Sequence, residues 1–327
     1  MYQKPRRNRM VLITLTAIEF FAVTPFIAVA AEDRTKDWRL IKAELSKRQA
    51  RFHCVTVEFE QEFIHDVNRP QARKMQNTKW KVQLKGDLLK RLETKGDAEP
   101  RINTAGKRVA YQERISVTDG LVDTSFYPNF GGEYDAGFVD AESRIRFNSN
   151  VTLTPLAICF RPLEWLDKSD RPPLSADDVQ VSYDQRGSAE DVVVAWSNRG
   201  FDITARFDPT RRYAPLELSI VRSSQQRKLF WRIDYEEGSD SDIPTGWKFS
   251  SFTDGGSTII HETSVRLLSY RADDILDSAF MIEFPVGTFV MDQVLKQNYI
   301  LLKDGSERVV KDEDWHGKSY DDILNGR

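Results

Sequence analysis

The chain has 327 residues, of which 40% are hydrophobic, 11% aromatic and 30% charged. That is material for a sizeable core, which excludes wholesale disorder and collagen-like repeats. Two cysteines exclude a disulfide-stapled miniprotein, and a net charge of −3 leaves no basic footprint for nucleic acid.

The first 30 residues read as an export signal. Lys4, Arg6, Arg7 and Arg9 make a basic start, residues 10–29 are mostly apolar, and Ala28-Val29-Ala30 offers a small-residue cleavage site before Ala31. Glu19 inside the apolar run argues for cleavage rather than a retained anchor. No cysteine between Met10 and Ala31 could carry a lipid. The expected division is therefore a signal peptide over 1–30 and one exported domain over 31–327, in the periplasm or cell envelope, with no transmembrane span after cleavage. The signal carries a net +3, which leaves −6 on the mature part. Such a chain is not built to sit electrostatically on anionic headgroups. Export would let Cys54 and Cys159 pair in an oxidising compartment; two buried free thiols are the alternative.

Residues 36–51 predict a helix, with Trp38, Ile41, Leu45 and then Phe52 on one side and Lys42, Glu44, Lys47 and Arg48 on the other. The period then drops to two. Val55, Val57 and Phe59 alternate with Thr56, Glu58 and Glu60, the pattern of a half-buried strand. Trp80, Val82 and Leu84 repeat it, and Gly86-Asp87 turns the chain into 88–95. A strand over 107–117 and its return over 121–127 flank Asp119-Gly120, a hairpin signal. Residues 138–160 are mixed. Thr154 is placed to cap a short helix with Pro155 at its first position, and Arg161-Pro162 interrupts it. Arg171-Pro172-Pro173 starts a loop. Further strands are expected over 179–183, 191–196, 201–207, 216–221, 229–235, 246–252 and 259–270, then 280–284, 288–294 and 299–303. Turn residues separate them, as in Asp208-Pro209 and Asp254-Gly255-Gly256.

This pattern is mainly β (α+β). It predicts a large antiparallel, strongly curved half-barrel of about ten or more strands, covered by the N-terminal helix and the mid-chain helical segment. No alternation of strands with long helices supports a doubly wound sheet.

Chemistry-bearing motifs are missing. There is no G-x-S-x-G elbow and no G-x-G-x-x-G loop. Gly317-Lys318-Ser319 lacks the earlier glycine of a phosphate loop, where Asp312 stands. His53 and Cys54 are neighbours on a strand, as are His261 and Glu262, so neither pair can chelate one metal. The acidic run 236–242 lacks calcium-loop spacing. Glu58, Glu60 and Glu62 read as a solvent face. No catalytic residue, metal site or cofactor is expected, and the protein is not expected to be an enzyme.

Aromatic residues stand out instead. Phe59, Trp80, Trp196, Phe207, Trp231, Trp247 and Phe249 all fall on strands. They either fill an ordinary core or line a cavity for a lipid or another apolar ligand.

The order of elements resembles the LolA/LolB-like lipoprotein-carrier superfamily. So do the opening helix with its strand Val57-Glu58-Phe59-Glu60-Gln61, and the closing Phe284-Pro285-Val286-Gly287-Thr288 followed by 299–305. The resemblance implies an incomplete barrel covered by helices and a non-enzymatic role, holding acyl chains of a lipid or lipoprotein in the concave face. The alternative is an envelope protein-binding or regulatory module on the same scaffold.

Overall fold

The structure is a computed structural model. It describes residues 31–65, 73–95, 101–102, 108–109, 113–119, 121–130, 134–141, 152–166, 174–175, 177–186, 189–198, 200–222, 224, 227–239, 241–253, 258–272, 274–311, 314 and 320–325. The export signal, the loop at Arg171-Pro172-Pro173 and the Gly317-Lys318-Ser319 run lie outside these residues. No helix among the described residues is long and apolar enough to cross a membrane.

Helix α1 (Ala31–Arg51) opens the described chain and buries Trp38, Ile41, Leu45 and Arg48, one stripe at helical spacing. Six strands follow in one meander: β1 (Cys54–His65), β2 (Arg73–Lys85), β3 (Leu88–Lys95), β6 (Glu113–Thr118), β7 (Asp123–Phe130) and β8 (Tyr134–Asp140). A two-residue ladder, β4 (Arg101–Ile102) with β5 (Arg108–Val109), stands apart from it. Helices α2 (Thr154–Phe160) and α3 (Pro162–Leu166) then cross to a second meander. Its strands are β9 (Val179–Arg186), β10 (Ala189–Asn198), β11 (Phe201–Asp208), β12 (Ala214–Arg222), β13 (Arg227–Asp234), β14 (Gly246–Thr253) and β15 (Thr258–Arg271).

The long β15 returns to pair antiparallel with β1, from Thr56↔Arg271 to His65↔His261, and joins the two meanders into one sheet. Strand β16 (Phe289–Asp292) lies parallel to β8, and β17 (Gln297–Leu301) and β18 (Glu307–Val310) extend that edge. The described strands form a 16-stranded sheet ordered β18-β17-β16-β8-β7-β6-β3-β2-β1-β15-β14-β13-β12-β11-β10-β9. Its two edges do not meet, so it is a curved half-barrel rather than a closed barrel. This is the expected fold.

The two faces are covered differently. The concave side of β9–β15, β1 and β2 holds α1, α2 and α3 in a single buried cluster. Helix α2 buries all seven of its residues. Helix α4 (Tyr320–Asn325) packs Ile323 with Phe289, Ile300 and Val310 of the β16–β18 edge. On the convex side, residues 274–288 strap across the first meander. Lys85 Nζ donates to the Ile275 carbonyl at 2.6 Å, Lys90 Nζ donates to the Ala279 carbonyl at 2.7 Å, and Phe280 and Ile275 pack on Val117.

Strand β18, helix α4 and the parallel pairing of β16 with β8 were not expected, and three further elements depart from expectation. Residues 280–284 alternate like a strand but lie in the strap, beside a 3-10 turn at Asp277–Phe280. An extended segment laid on an apolar face acquires a two-residue period whether or not it joins a ladder. Strand β8 was hidden because Gly137 interrupts its apolar pattern; the Phe284 ring occupies the space a Cβ would need, 2.7 Å away. Thr154 does not cap α2. Leu153 takes the cap position without a side-chain bond, which moves Pro155 to the second helical position.

Candidate ligand-binding face

Strand parity decides which side chains meet. On β1, Val55, Val57 and Phe59 face the concave side, and register sets Phe59 opposite Trp80 on β2. The carboxylates between them face outward. There Glu58 pairs with Lys81 at 3.1 Å and Glu60 with Arg266 at 3.0 Å, so the expected solvent face is laced by cross-strand ion pairs.

All seven strand aromatics singled out by sequence, Phe59, Trp80, Trp196, Phe207, Trp231, Trp247 and Phe249, lie in the one core cluster under the helices. The most exposed, Trp80, shows 7% of its surface. Six of the seven rings meet another aromatic ring. Trp231 lies 5.0 Å from Phe249, and Trp196 meets Trp165 of α3 edge-on at 5.6 Å. Trp247, Phe59 and Trp80 form a row across β14, β1 and β2, with centroids 5.2 Å and 5.9 Å apart. The indole N–H groups of Trp196 and Trp247 meet no acceptor among the described residues. Each such buried donor costs about 1–3 kcal/mol.

The helical cover is fastened by buried cations. Arg48 on α1 donates from Nε to the Cys159 carbonyl at 2.7 Å, and to the Asp242 carboxylate and carbonyl at 3.1 and 2.6 Å. Arg51 donates to the same carboxylate. Arg161, which ends α2, donates to the carbonyls of Phe52 and His53. The last turn of α1 is where cations are favoured by the helix dipole.

Cys54 and Cys159 do not pair; both are free thiols. The reason is again parity. Cys54 precedes Val55 and so faces the strap, where its sulfur accepts the Ile275 N–H at 3.2 Å. Cys159 lies inside the concave core, 4.0 Å from the Tyr235 hydroxyl. Burial pushes the Cys159 thiol up to about 12 and raises the Tyr235 hydroxyl as well.

Past Trp80 the concave face changes character. On β3 the positions that continue the core side are Arg91, Glu93 and Lys95, opposite Val82, Trp80 and Thr78. Arg91 is 5% exposed, with its guanidinium 5.5 Å from the centre of the Trp80 ring, and its Nε has no hydrogen-bond partner among the described residues. Burial, then the nearby Arg114, lowers its pKa to about 10. Arg114 on β6 donates from Nε to Ser116 Oγ at 3.0 Å and lies over the Tyr127 ring at 4.9 Å. Burial raises the Tyr127 hydroxyl. Tyr127 in turn meets Phe138 and Phe130, at 5.2 and 5.9 Å.

A cleft of about 280 Å³ lies by Asp191, Arg211, Glu217 and Arg232, one of about 200 Å³ by Gln49, His53 and Arg161, and one of about 260 Å³ by Glu93, Lys95, Glu113, Arg114 and Tyr127. None of the three is lined by the seven aromatics. The third adjoins the end of the aromatic row. Its arginines were not singled out by sequence, although one signal was available: Arg91 occupies a core-parity position next to Leu89. Among the described residues, no group of three or more His, Cys, Asp or Glu side chains could hold a metal ion.

No family model matches the chain, and no curated protein matches it significantly. Among solved structures, the chain is similar to a LolA superfamily protein from Nitrosomonas europaea, at 10% identity over 78% of this chain and 99% of that one, with a TM-score of 0.42. It is also similar to a DUF1329 family protein from Desulfovibrio piger, at 9% identity over 76% and 97% of the two chains, with a TM-score of 0.42.

Proposed function

We propose that this is an exported, non-enzymatic protein of the periplasm or cell envelope that holds the acyl chains of a lipid or lipoprotein against the concave face of its sheet. The signal-like residues 1–30 are removed on export, and the remainder acts as one domain. The observation that carries this reading is the Trp247–Phe59–Trp80 row. It is a wall of aromatic surface covered by helices rather than by a second sheet, and helices can lift without breaking a strand ladder. An acyl chain that replaced part of the cover would gain about 25 cal/mol for each Å² of apolar surface it buried. Delipidated protein titrated with a fluorescent fatty acid is expected to show saturable binding that a lipopeptide competes away. Uptake that never saturates would sink the proposal.

A second reading is favoured by one observation: the seven aromatics are already packed against α1, α2 and α3 in a filled interior. On that reading the scaffold is an envelope protein-binding or regulatory module. Capture of one stoichiometric envelope protein by lipid-free protein, with no lipid bound in the titration, selects it.

A further inference from the structure

We propose that Arg91 and Arg114 form a binding site for the anionic group of an amphiphile, a phosphate or carboxylate whose tail follows the aromatic row. The inference rests on the acyl-chain reading above and adds to it the class of headgroup.

The row ends at a cation. Trp247, Phe59 and Trp80 step across the sheet, and the next side chain in contact is the Arg91 guanidinium. Arginine at a core position ordinarily finds a carboxylate or a set of carbonyls. Arg161 in this same molecule does so, with carbonyls of Phe52, His53 and Phe160. Arg91 does not. It faces an aromatic ring, and its Nε is left without an acceptor among the described residues.

The surroundings make the missing partner an anion. After burial, the largest influence on Arg91 is a second guanidinium, that of Arg114 on the neighbouring strand β6; the carboxylates of Glu93 and Asp123 act against it more weakly, and neither hydrogen-bonds the Arg91 Nε. Glu93 stands directly opposite Arg114 in the β3–β6 ladder, and its ion pair is with Lys95 at 4.0 Å. Ser116 fixes Arg114 through Nε, which directs its remaining N–H donors elsewhere. Two planar guanidinium forks suit the oxygens of a phosphate or a carboxylate better than any point cation. The cleft of about 260 Å³ beside Arg114 gives such a group room; Lys95, Tyr127, Glu93 and Glu113 complete its lining, and Arg91 stands two residues before Glu93 on β3. The tail would leave over Trp80 and the headgroup would remain at the mouth.

The test uses mature protein and its Arg91→Met and Arg114→Gln variants, the second kept because Arg114 is only half-buried and its loss should spare the fold. Calorimetric titration with short-chain phosphatidylglycerol, short-chain diacylglycerol and inorganic phosphate separates tail from headgroup. The protein should prefer phosphatidylglycerol. Each variant should lose about 10-fold or more of that affinity and keep its affinity for diacylglycerol. Phosphate binding that needs Arg91, with no lipid bound, upholds the anion site and overturns the acyl-chain reading. Equal binding of both lipids, unchanged in both variants, overturns the anion site and leaves the acyl-chain reading standing. No binding of any probe overturns both.

Discussion

Replacing Asp242 by alanine strips the countercharge from a guanidinium that water scarcely reaches. Arg48 is 3% exposed and Asp242 6%. Removing one partner of a buried pair costs about 3–5 kcal/mol, because the other charge stays buried and uncompensated. Here the lower figure applies. Two of the three acceptors of Arg48, the carbonyls of Cys159 and Asp242, belong to the backbone and survive the substitution. The expected loss is therefore about 3 kcal/mol. Arg48→Met should cost less, since Asp242 keeps the half-exposed Arg51. The double variant should be more stable than the sum of the two losses predicts, because no charge is then left stranded. Urea unfolding followed by tryptophan fluorescence measures all three. A loss below about 1 kcal/mol for Asp242→Ala, or strictly additive losses, would refute the claim that this pair fastens the cover.

Further outcomes are expected. Gly137→Ala pushes on the Phe284 ring, which can yield, so it should cost about 1 kcal/mol and speed chymotrypsin cleavage in the 274–288 strap. Gly246→Ala sets a methyl 2.3 Å from the Val265 carbonyl oxygen, a backbone atom held in a ladder, and should cost more than Gly137→Ala in the same unfolding assay. Cys159 should resist iodoacetamide in the native state. Its pKa is raised from 9.0 to about 12 by folding, so its contribution to stability is complete below pH 9 and fades as the pH rises toward 12; Cys159→Ala should weaken this alkaline trend and leave the part due to the buried Tyr235 hydroxyl. Asp119 accepts the N–H groups of Leu121 and Val122, both at 2.8 Å, which holds its carboxyl below 3.8. That contribution is present above pH 3.8 and is lost as pH falls; Asp119→Asn should flatten this part of the acid unfolding curve.

The sheet was legible in the sequence where one face is buried and the other wet. From β9 to β15 the two-residue period marked every strand, because helices cover the concave side and solvent the convex. Legibility failed where both faces are covered. Around β8 the strap supplies apolar cover on the outer side, so alternation weakens and a glycine makes room for Phe284. The strap itself read as a strand because an apolar surface imposes the same period as a ladder. Parity also separates the two cysteines, which no spacing along the chain could reveal. The candidate anion site was missed for a related reason. Its arginines come from β3 and β6, whose register is fixed only once the strands are paired, and a cation at a core-parity position looks in sequence like an interruption of the pattern.

The position of β1 has a consequence for synthesis. This strand leads the chain, yet it lies near the middle of the sheet, with β15 as its second neighbour. Residue 56 must wait for residue 271 before that seam can close. At about 5–20 residues per second, a ribosome keeps the inner edge of β1 open for roughly 10–40 seconds. Through that interval a row of unpaired amides and carbonyls, flanked by Val55, Val57 and Phe59, offers itself to any passing strand. The outward carboxylates Glu58, Glu60 and Glu62 then serve the nascent chain as much as the finished one, since like charges on identical edges repel. Making them neutral should leave the folded protein nearly as stable while lowering the yield of soluble chains, a burden that falls on assembly alone.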